Sequence, residues 1–169
     1  MEISSQGLIL EFGVHTGESI NYFATKTNRT IHGFDSFVGL PENWHGTPLD
    51  SGAFSLNGMS PKVAQNVELH KGWFAETLPD FLQENIGSVS LLHIDSDLYS
   101  SAKFILQSLS NRINAGSLIL FDDHHGYPGW ENGEFRAWNE FCSENQVTFK
   151  YIGFAQQAAL VQIDSINTI

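Results

Sequence analysis

Four short apolar, β-rich runs each lead directly into a residue able to do chemistry, and this pattern constrains the fold more than any other feature. Residues 7–12 (GLILEF) run into Gly13, residues 30–35 (TIHGFD) end on Asp35, residues 88–95 (SVSLLHID) end on Asp95, and residues 117–121 (SLILF) lead into Asp122 and Asp123. Between them lie helical patterns: residues 17–26; residues 75–85, with Leu78, Phe81 and Leu82 on one face; residues 100–113, with Ala102, Ile105, Leu109 and Ile113; and residues 134–145, with Phe135, Trp138, Phe141 and Cys142. Pro79 predicts that the second of these helices begins late. A short strand is expected over residues 67–71, and two more over residues 147–153 and 158–163, close enough in sequence to pair antiparallel. Alternation of this kind predicts an α/β, Rossmann-like fold. Its sheet is mainly parallel and seven-stranded, with an antiparallel C-terminal hairpin and helices on both faces. Residues 36–61 form a long Gly/Pro-rich stretch, and loops of that length inside a compact domain are usually functional.

At 169 residues, with 41% hydrophobic residues and neither repeat nor linker, the chain is expected to form one domain, residues 1–169. No apolar run approaches the ~20 residues of a membrane span, and no secretory signal is legible at the N-terminus. The single cysteine, Cys142, excludes an intramolecular disulfide framework; it fits a buried structural thiol in a reducing cytoplasm. With 8 basic against 19 acidic residues, the net charge of -11 argues against nucleic acid as a partner.

The segment Glu11-Phe-Gly13-Val-His-Thr-Gly17-Glu-Ser19 sits where the first strand turns into the first helix. Glycines there let the backbone approach a ligand. The Gly-x-x-x-Gly spacing departs from the Gly-x-Gly-x-x-Gly dinucleotide fingerprint and weakens an NAD reading. Asp35 follows at about the 20-residue interval at which an acidic strand end can grip a ribose, although it could equally cap its own turn. His93-Ile-Asp95-Ser-Asp97-Leu-Tyr99 and Phe121-Asp-Asp-His124 end the two strands expected to be neighbours. Carboxylates converging there repel one another unless a hard divalent cation joins them, Mg²⁺ being the natural choice. His93, His124 and His125 crowd the same edge, where one could act as a base or orient a substrate. Trp73 and Phe74 follow the third strand, where an adenine ring could lie, and Trp44 and Trp130 fall in loops.

Taken in order, these motifs, together with Gly33-Phe-Asp-Ser-Phe-Val-Gly-Leu-Pro41, Gly72-Trp-Phe74 and Thr77-Leu-Pro79, resemble the macrocin O-methyltransferase family of metal-dependent sugar O-methyltransferases. The resemblance implies a class I methyltransferase fold with S-adenosylmethionine as donor. It implies that Glu11, Gly13, Val14, Gly17 and Ser19 border the methionine end, that Asp35 and Ser36 hold the ribose, and that Gly72, Trp73 and Phe74 border the adenine. Asp95, Asp122 and Asp123 would hold Mg²⁺, Asp95 also lying beside the donor; Asp97, Asp95 and His124 are the catalytic candidates, Asp97 foremost as base. The acceptor would be a small-molecule hydroxyl, of a sugar or a related polyol or phenol. Family members look longer at the N-terminus, so a missing helical extension is expected, and with it a monomer or small homo-oligomer. His124 stands where the family often has Tyr.

Two rival readings remain open at this point. Asp95-Ser-Asp97 has the Asp-x-Asp form with which metal-dependent nucleotide-sugar transferases hold a diphosphate, and the short N-terminus suits a non-catalytic S-adenosylmethionine-binding module.

Overall fold

The computed structural model describes residues 6–167. Among the described residues, seven strands form one sheet: β1 (Leu8–Phe12), β2 (Ile31–Asp35), β3 (Val67–Lys71), β4 (Val89–Ile94), β5 (Leu118–Phe121), β6 (Thr148–Ala155) and β7 (Ala158–Ser165). Four α-helices accompany them: α1 (Glu18–Ala24), α2 (Phe74–Glu84), α3 (Tyr99–Ser108) and α4 (Glu134–Glu144). The strand order is β3-β2-β1-β4-β5-β7-β6. Pairing is parallel from β3 to β5, while β7 runs antiparallel to both β5 and β6. The expected Rossmann-like architecture is therefore present. Because the chain winds outward from β1 to β3 and then returns to β4, the crevice beyond β1 and β4 is the switch point at which open α/β sheets take ligands.

The two faces are covered differently. One buries Leu92, Ile94, Ile105, Trp138 and Phe141 beneath α2, α3 and α4. The other buries Ile9, Ile20 and Ile31 under α1 and a stretch without regular structure, which contributes Phe37, Leu56 and Val63. That stretch, residues 36–66, replaces the helix that usually links parallel strands. It supports itself by turns in which Phe37, Phe54 and Asn57 all adopt left-handed backbone conformations.

Two helix boundaries differ from expectation. α2 starts at Phe74, before Pro79 rather than at it. The proline forfeits one amide donor in the second turn. Glu76 fixes the first turn by accepting from the Trp73 N–H (3.1 Å), and Leu78 and Phe81 pin the helix to the sheet. α3 stops at Ser108 instead of running to Ile113; the chain continues in turns, and the Arg112 carbonyl accepts from the Val89 N–H at the start of β4 (2.7 Å). Leu109 and Ile113 still reach the core from the turn that follows. The C-terminal hairpin turns through Gln156 and Gln157, with Gln156 left-handed.

Candidate active site

Packing beneath the crevice fixes its floor. Phe12 and Phe34 are register partners at the ends of β1 and β2, stacked with centroids 4.6 Å apart, and Phe74 meets Phe12 edge-on at 5.2 Å. Gly13 comes immediately after at φ 92°, and a Cβ there would lie 1.7 Å from the Asp95 carbonyl oxygen. Only glycine lets β1 pass so close to the end of β4.

Asp35 closes this turn from the side. Its Oδ2 accepts from the N–H groups of Val14 (2.9 Å) and His15 (2.7 Å), and Oδ1 from Phe37 (2.7 Å). Three of the roughly four acceptor positions of the carboxylate are thus filled by backbone. The turn-capping role that the sequence left open is therefore present, and Asp35 also lines the cleft. Glu11 lies behind the turn, fully buried, accepting from Ser19 Oγ (2.9 Å) and pairing with His93 Nδ1 (3.0 Å).

The ends of β4 and β5 carry the second half of the site. Oxygen atoms of Asp95, Asp97 and Asp123 lie within 4.8 Å of one another, as do single ligand atoms of His93, Asp95 and Asp122. Asp97 is held at φ 62° in a three-residue turn closed by the Leu98 N–H donating to the Ser96 carbonyl (2.6 Å). This left-handed γ-turn is strained for a non-glycine residue. Burial raises Asp95 to about 7, assisted by Asp122. Burial also pushes Asp97 and Asp123 above the usual carboxylate range, aided by repulsion from Asp123 and Asp95 at Asp97 and from Asp122 at Asp123. His93 runs the other way: burial opposes its charge, but Asp122 and Glu11 prevail and raise it to about 10. Its Nε2 is buried 3.9 Å from Asp122 Oδ1, too far for a hydrogen bond, and has no hydrogen-bond partner among the described residues. The clustered carboxylate oxygens of Asp95, Asp97 and Asp123 fit a hard cation such as Mg²⁺, while Asp122 groups with Asp95 and His93.

Two clefts meet at Asp97. The first, about 750 Å³ including its open mouth, is lined by Gly13, Asp35, Ser36, Trp73, Phe74 and Asp95. The second is lined by Trp44, His45, Tyr99, Asn132 and Arg136. Asp97 lines both, and residues 39–45 form the partition, with 39–41 on one cleft and 42–45 on the other. The partition is braced at Gly46 (φ 85°), where a Cβ would stand 1.9 Å from the Pro128 carbonyl oxygen, and by Trp44 packing edge-on against Tyr127.

The structure brings most residues expected at the site to this edge, but not all of them into the clefts. Val14 is buried, and Gly17 and Ser19 belong to the turn and first helix behind the cleft. Gly72 precedes Trp73 at φ 148°. His124 does not reach the carboxylates: it is buried among Phe121, Phe135 and Tyr151, with Nε2 2.8 Å from the Tyr151 hydroxyl, and burial beside His125 lowers it to about 4.

Sequence reasoning missed Glu134. It is fully buried beneath the cluster, accepting from Ser96 N–H (3.1 Å) and Asp123 N–H (3.3 Å), and burial raises its pKa well above the ordinary value. The signal was present: Glu134 falls at i of an i, i+3, i+4, i+7 stripe whose other members, Ala137, Trp138 and Phe141, are core. The partition residues Leu40 and Pro41, and Phe54 opposite, were also missed, because an irregular segment has no period to read.

This sheet order, with a glycine turn after β1 and an acidic end on β2, defines the class I Rossmann-like methyltransferase fold. The profile of the methyltransferase-domain family matches residues 10–124. The chain belongs to that family. It is 24% identical over 136 residues to demethyldecarbamoylnovobiocin O-methyltransferase of Streptomyces niveus, covering 69% of this chain and 51% of that protein. The chain thus spans about half the length of the curated relative it matches. A crystal structure of the calicheamicin methyltransferase CalS11 superimposes with a TM-score of 0.77 at 24% identity, covering 95% of this chain and 73% of that one. An apo structure of CalS11, described as a TDP-rhamnose 3'-O-methyltransferase, gives 0.67 at 25% identity, covering 95% and 72%. These relatives agree with the resemblance to macrocin O-methyltransferases.

Proposed function

We propose that the chain is an S-adenosylmethionine-dependent O-methyltransferase, assisted by a hard divalent cation, that methylates a hydroxyl of a sugar or a related small polyol or phenol. One observation carries the reading: Asp97 stands at the junction of two clefts, with a carboxylate cluster beside it. The first cleft has the size and lining for a nucleoside, aromatic at Trp73 and Phe74 and acidic at Asp35. The second is polar and suits a hydroxylated acceptor. The relatives' own names, novobiocin and TDP-rhamnose O-methyltransferases, point the same way.

In this reading Trp73 and Phe74 flank the adenine, Asp35 and Ser36 hold the ribose, and the glycine turn borders the methionine end. S-adenosylmethionine would supply an electrophilic methyl group, leaving as a neutral thioether. Asp95, Asp122 and Asp123 would hold Mg²⁺, which supplies positive charge that lowers the pKa of an acceptor hydroxyl. Asp97 takes the hydroxyl proton, and its turn fixes the carboxylate between the clefts. Glu134 holds the Ser96 and Asp123 backbone so that the acidic loop keeps its shape. Tyr99 and Arg136 orient the acceptor from the far side. Most of the acceleration then comes from alignment and electrostatics.

The test is formation of S-adenosylhomocysteine from S-adenosylmethionine with a panel of sugar nucleotides, TDP-rhamnose first, and with catechol. Turnover that EDTA and Asp122→Asn both abolish is the expected result. Calorimetric binding of S-adenosylmethionine without turnover on any acceptor would favour a binding module. Absence of binding would end the methyltransferase reading.

A further inference from the structure

On the outer end of the sheet, remote from the carboxylate cluster, His32, Glu68 and His70 bring three donor atoms together. β2 and β3 pair in parallel with His32 opposite Glu68 and Phe34 opposite His70, so all four side chains project from the same face. His32 Nδ1 is 3.2 Å from His70 Nε2 and 3.5 Å from Glu68 Oε2. We propose that this trio is a binding site for a borderline transition-metal ion, Zn²⁺ foremost, which clips the edge strand β3 to β2.

Four arguments support it. The first is spacing. Two ligand atoms at about 2.0–2.1 Å from a tetrahedral zinc stand about 3.3–3.4 Å apart, so the observed separations already match the edges of such a tetrahedron. Admitting an ion asks for small side-chain shifts within the ring planes and not for movement of the strands. The second is ligand chemistry. Two imidazoles and one carboxylate form a nitrogen-rich set that favours Zn²⁺ over Mg²⁺ or Ca²⁺, the converse of the all-oxygen cluster at the active site. A fourth position remains for water.

The third is preorganisation. The His70 ring stacks on Phe34 at 4.5 Å and meets Phe81 at 5.0 Å, and His32 lies 4.8 Å from the same Phe81. Aromatic walls therefore fix both ring planes before any ion arrives. Burial also keeps both imidazoles below their ordinary pKa, in the neutral form that binds metal. The fourth is access. Glu68 is 63% exposed on an edge strand, so hydrated ions can reach it, and its charge offsets that of the ion. Among the described residues β3 has β2 as its single neighbour in the sheet, and Lys71 at its end leads directly into Gly72 and Trp73. A clip here stiffens the strand that delivers Trp73 to the first cleft. This site stands independently of the methyltransferase reading.

The experiment is titration of EDTA-treated, desalted protein with Zn²⁺ in competition with a chromophoric chelator, and with Co²⁺ followed in the visible. Millimolar Mg²⁺ is present throughout to occupy the carboxylates. Wild type is expected to take up one ion per chain and to gain thermal stability on doing so. Glu68→Gln, exposed and safe for folding, and His70→Asn, checked by circular dichroism, should each weaken binding at least about tenfold. Asp122→Asn should leave the affinity unchanged. No uptake of Zn²⁺, affinity within twofold of wild type in either site variant, or loss of binding in Asp122→Asn would overturn the proposal.

Discussion

Two acidic regions at the same edge of the sheet meet opposite electrostatic fates. Asp35 at the end of β2 is answered from within: three backbone N–H groups of the glycine turn and its own turn saturate most of its lone pairs. The ends of β4 and β5 are not answered from within. Asp95, Asp97 and Asp123 face one another, Glu134 lies buried beneath them, and the cationic partner nearby among the described residues is the His93 imidazole, already committed to Glu11. A carboxylate satisfied by backbone amides stabilises the fold and presents a ready-made polar edge. A cluster without such donors costs stability and is completed only by something that binds. Hydrogen-bond donors are thus in surplus at one region and in deficit at the other.

The sharpest way to break this contrast is to remove one carboxylate from each end. Asp97→Asn is expected to lower turnover by roughly 10²–10⁴-fold, the usual contribution of a positioned base. In EDTA at pH 8 the same variant should melt higher than wild type, because folding no longer has to neutralise a carboxylate there; a lower melting temperature would show the cluster to be internally compensated. Asp35→Ala should do the reverse to stability. It strands the Val14, His15 and Phe37 amides, partly open to water, and should cost about 2–3 kcal/mol in chemical denaturation, with weakened S-adenosylmethionine binding as a consequence.

A smaller effect should appear in the pH dependence of the metal-free chain. Asp95 in the folded state holds its proton up to about 7, whereas an unfolded aspartate releases it near about 3.9. Across that window the folded form binds more protons. Stability measured in EDTA therefore falls as pH rises from about 4 to 7, by at most about 1.4 kcal/mol per pH unit for each such group. Saturating Mg²⁺ should flatten the slope by holding the anionic form. A stability that rises over this range would contradict the burial-driven shift. The smallest expected change is for His124→Phe, whose ring lies in the aromatic cluster of Phe135 and Tyr151. Turnover should stay within about threefold, and a collapse in kcat with an unchanged melting temperature would restore a catalytic role to that imidazole.

The seven strands were legible because each buried run is short, apolar and bounded by turn formers, and the final pair had too little connecting chain to be anything but antiparallel. The acidic ends were legible for the same reason: a parallel sheet brings the C-terminal ends of its strands, and the residues just beyond them, to one edge. The features that escaped depend on contacts distant in sequence. Pro79 reads as a helix start until Glu76 is seen holding the Trp73 amide. Ile113 keeps helical spacing although Arg112 has turned its carbonyl to β4. Glu134 hides in a core stripe, and the wall of the clefts is an irregular segment without periodicity. Asp95-Ser-Asp97 alone suited a nucleotide-sugar site as well, whereas the strand order and the family match place it within a methyltransferase domain.

The partition of residues 39–45 has a consequence for traffic. It gives the molecule two doorways that share one threshold, Asp97. On the proposed reading, a donor entering past Trp73 and an acceptor entering past Arg136 would not queue for the same opening, and a spent donor could leave while the acceptor stays seated. Such a layout suits repeated exchange at one side with an occupant waiting at the other, like a turnstile beside a bench.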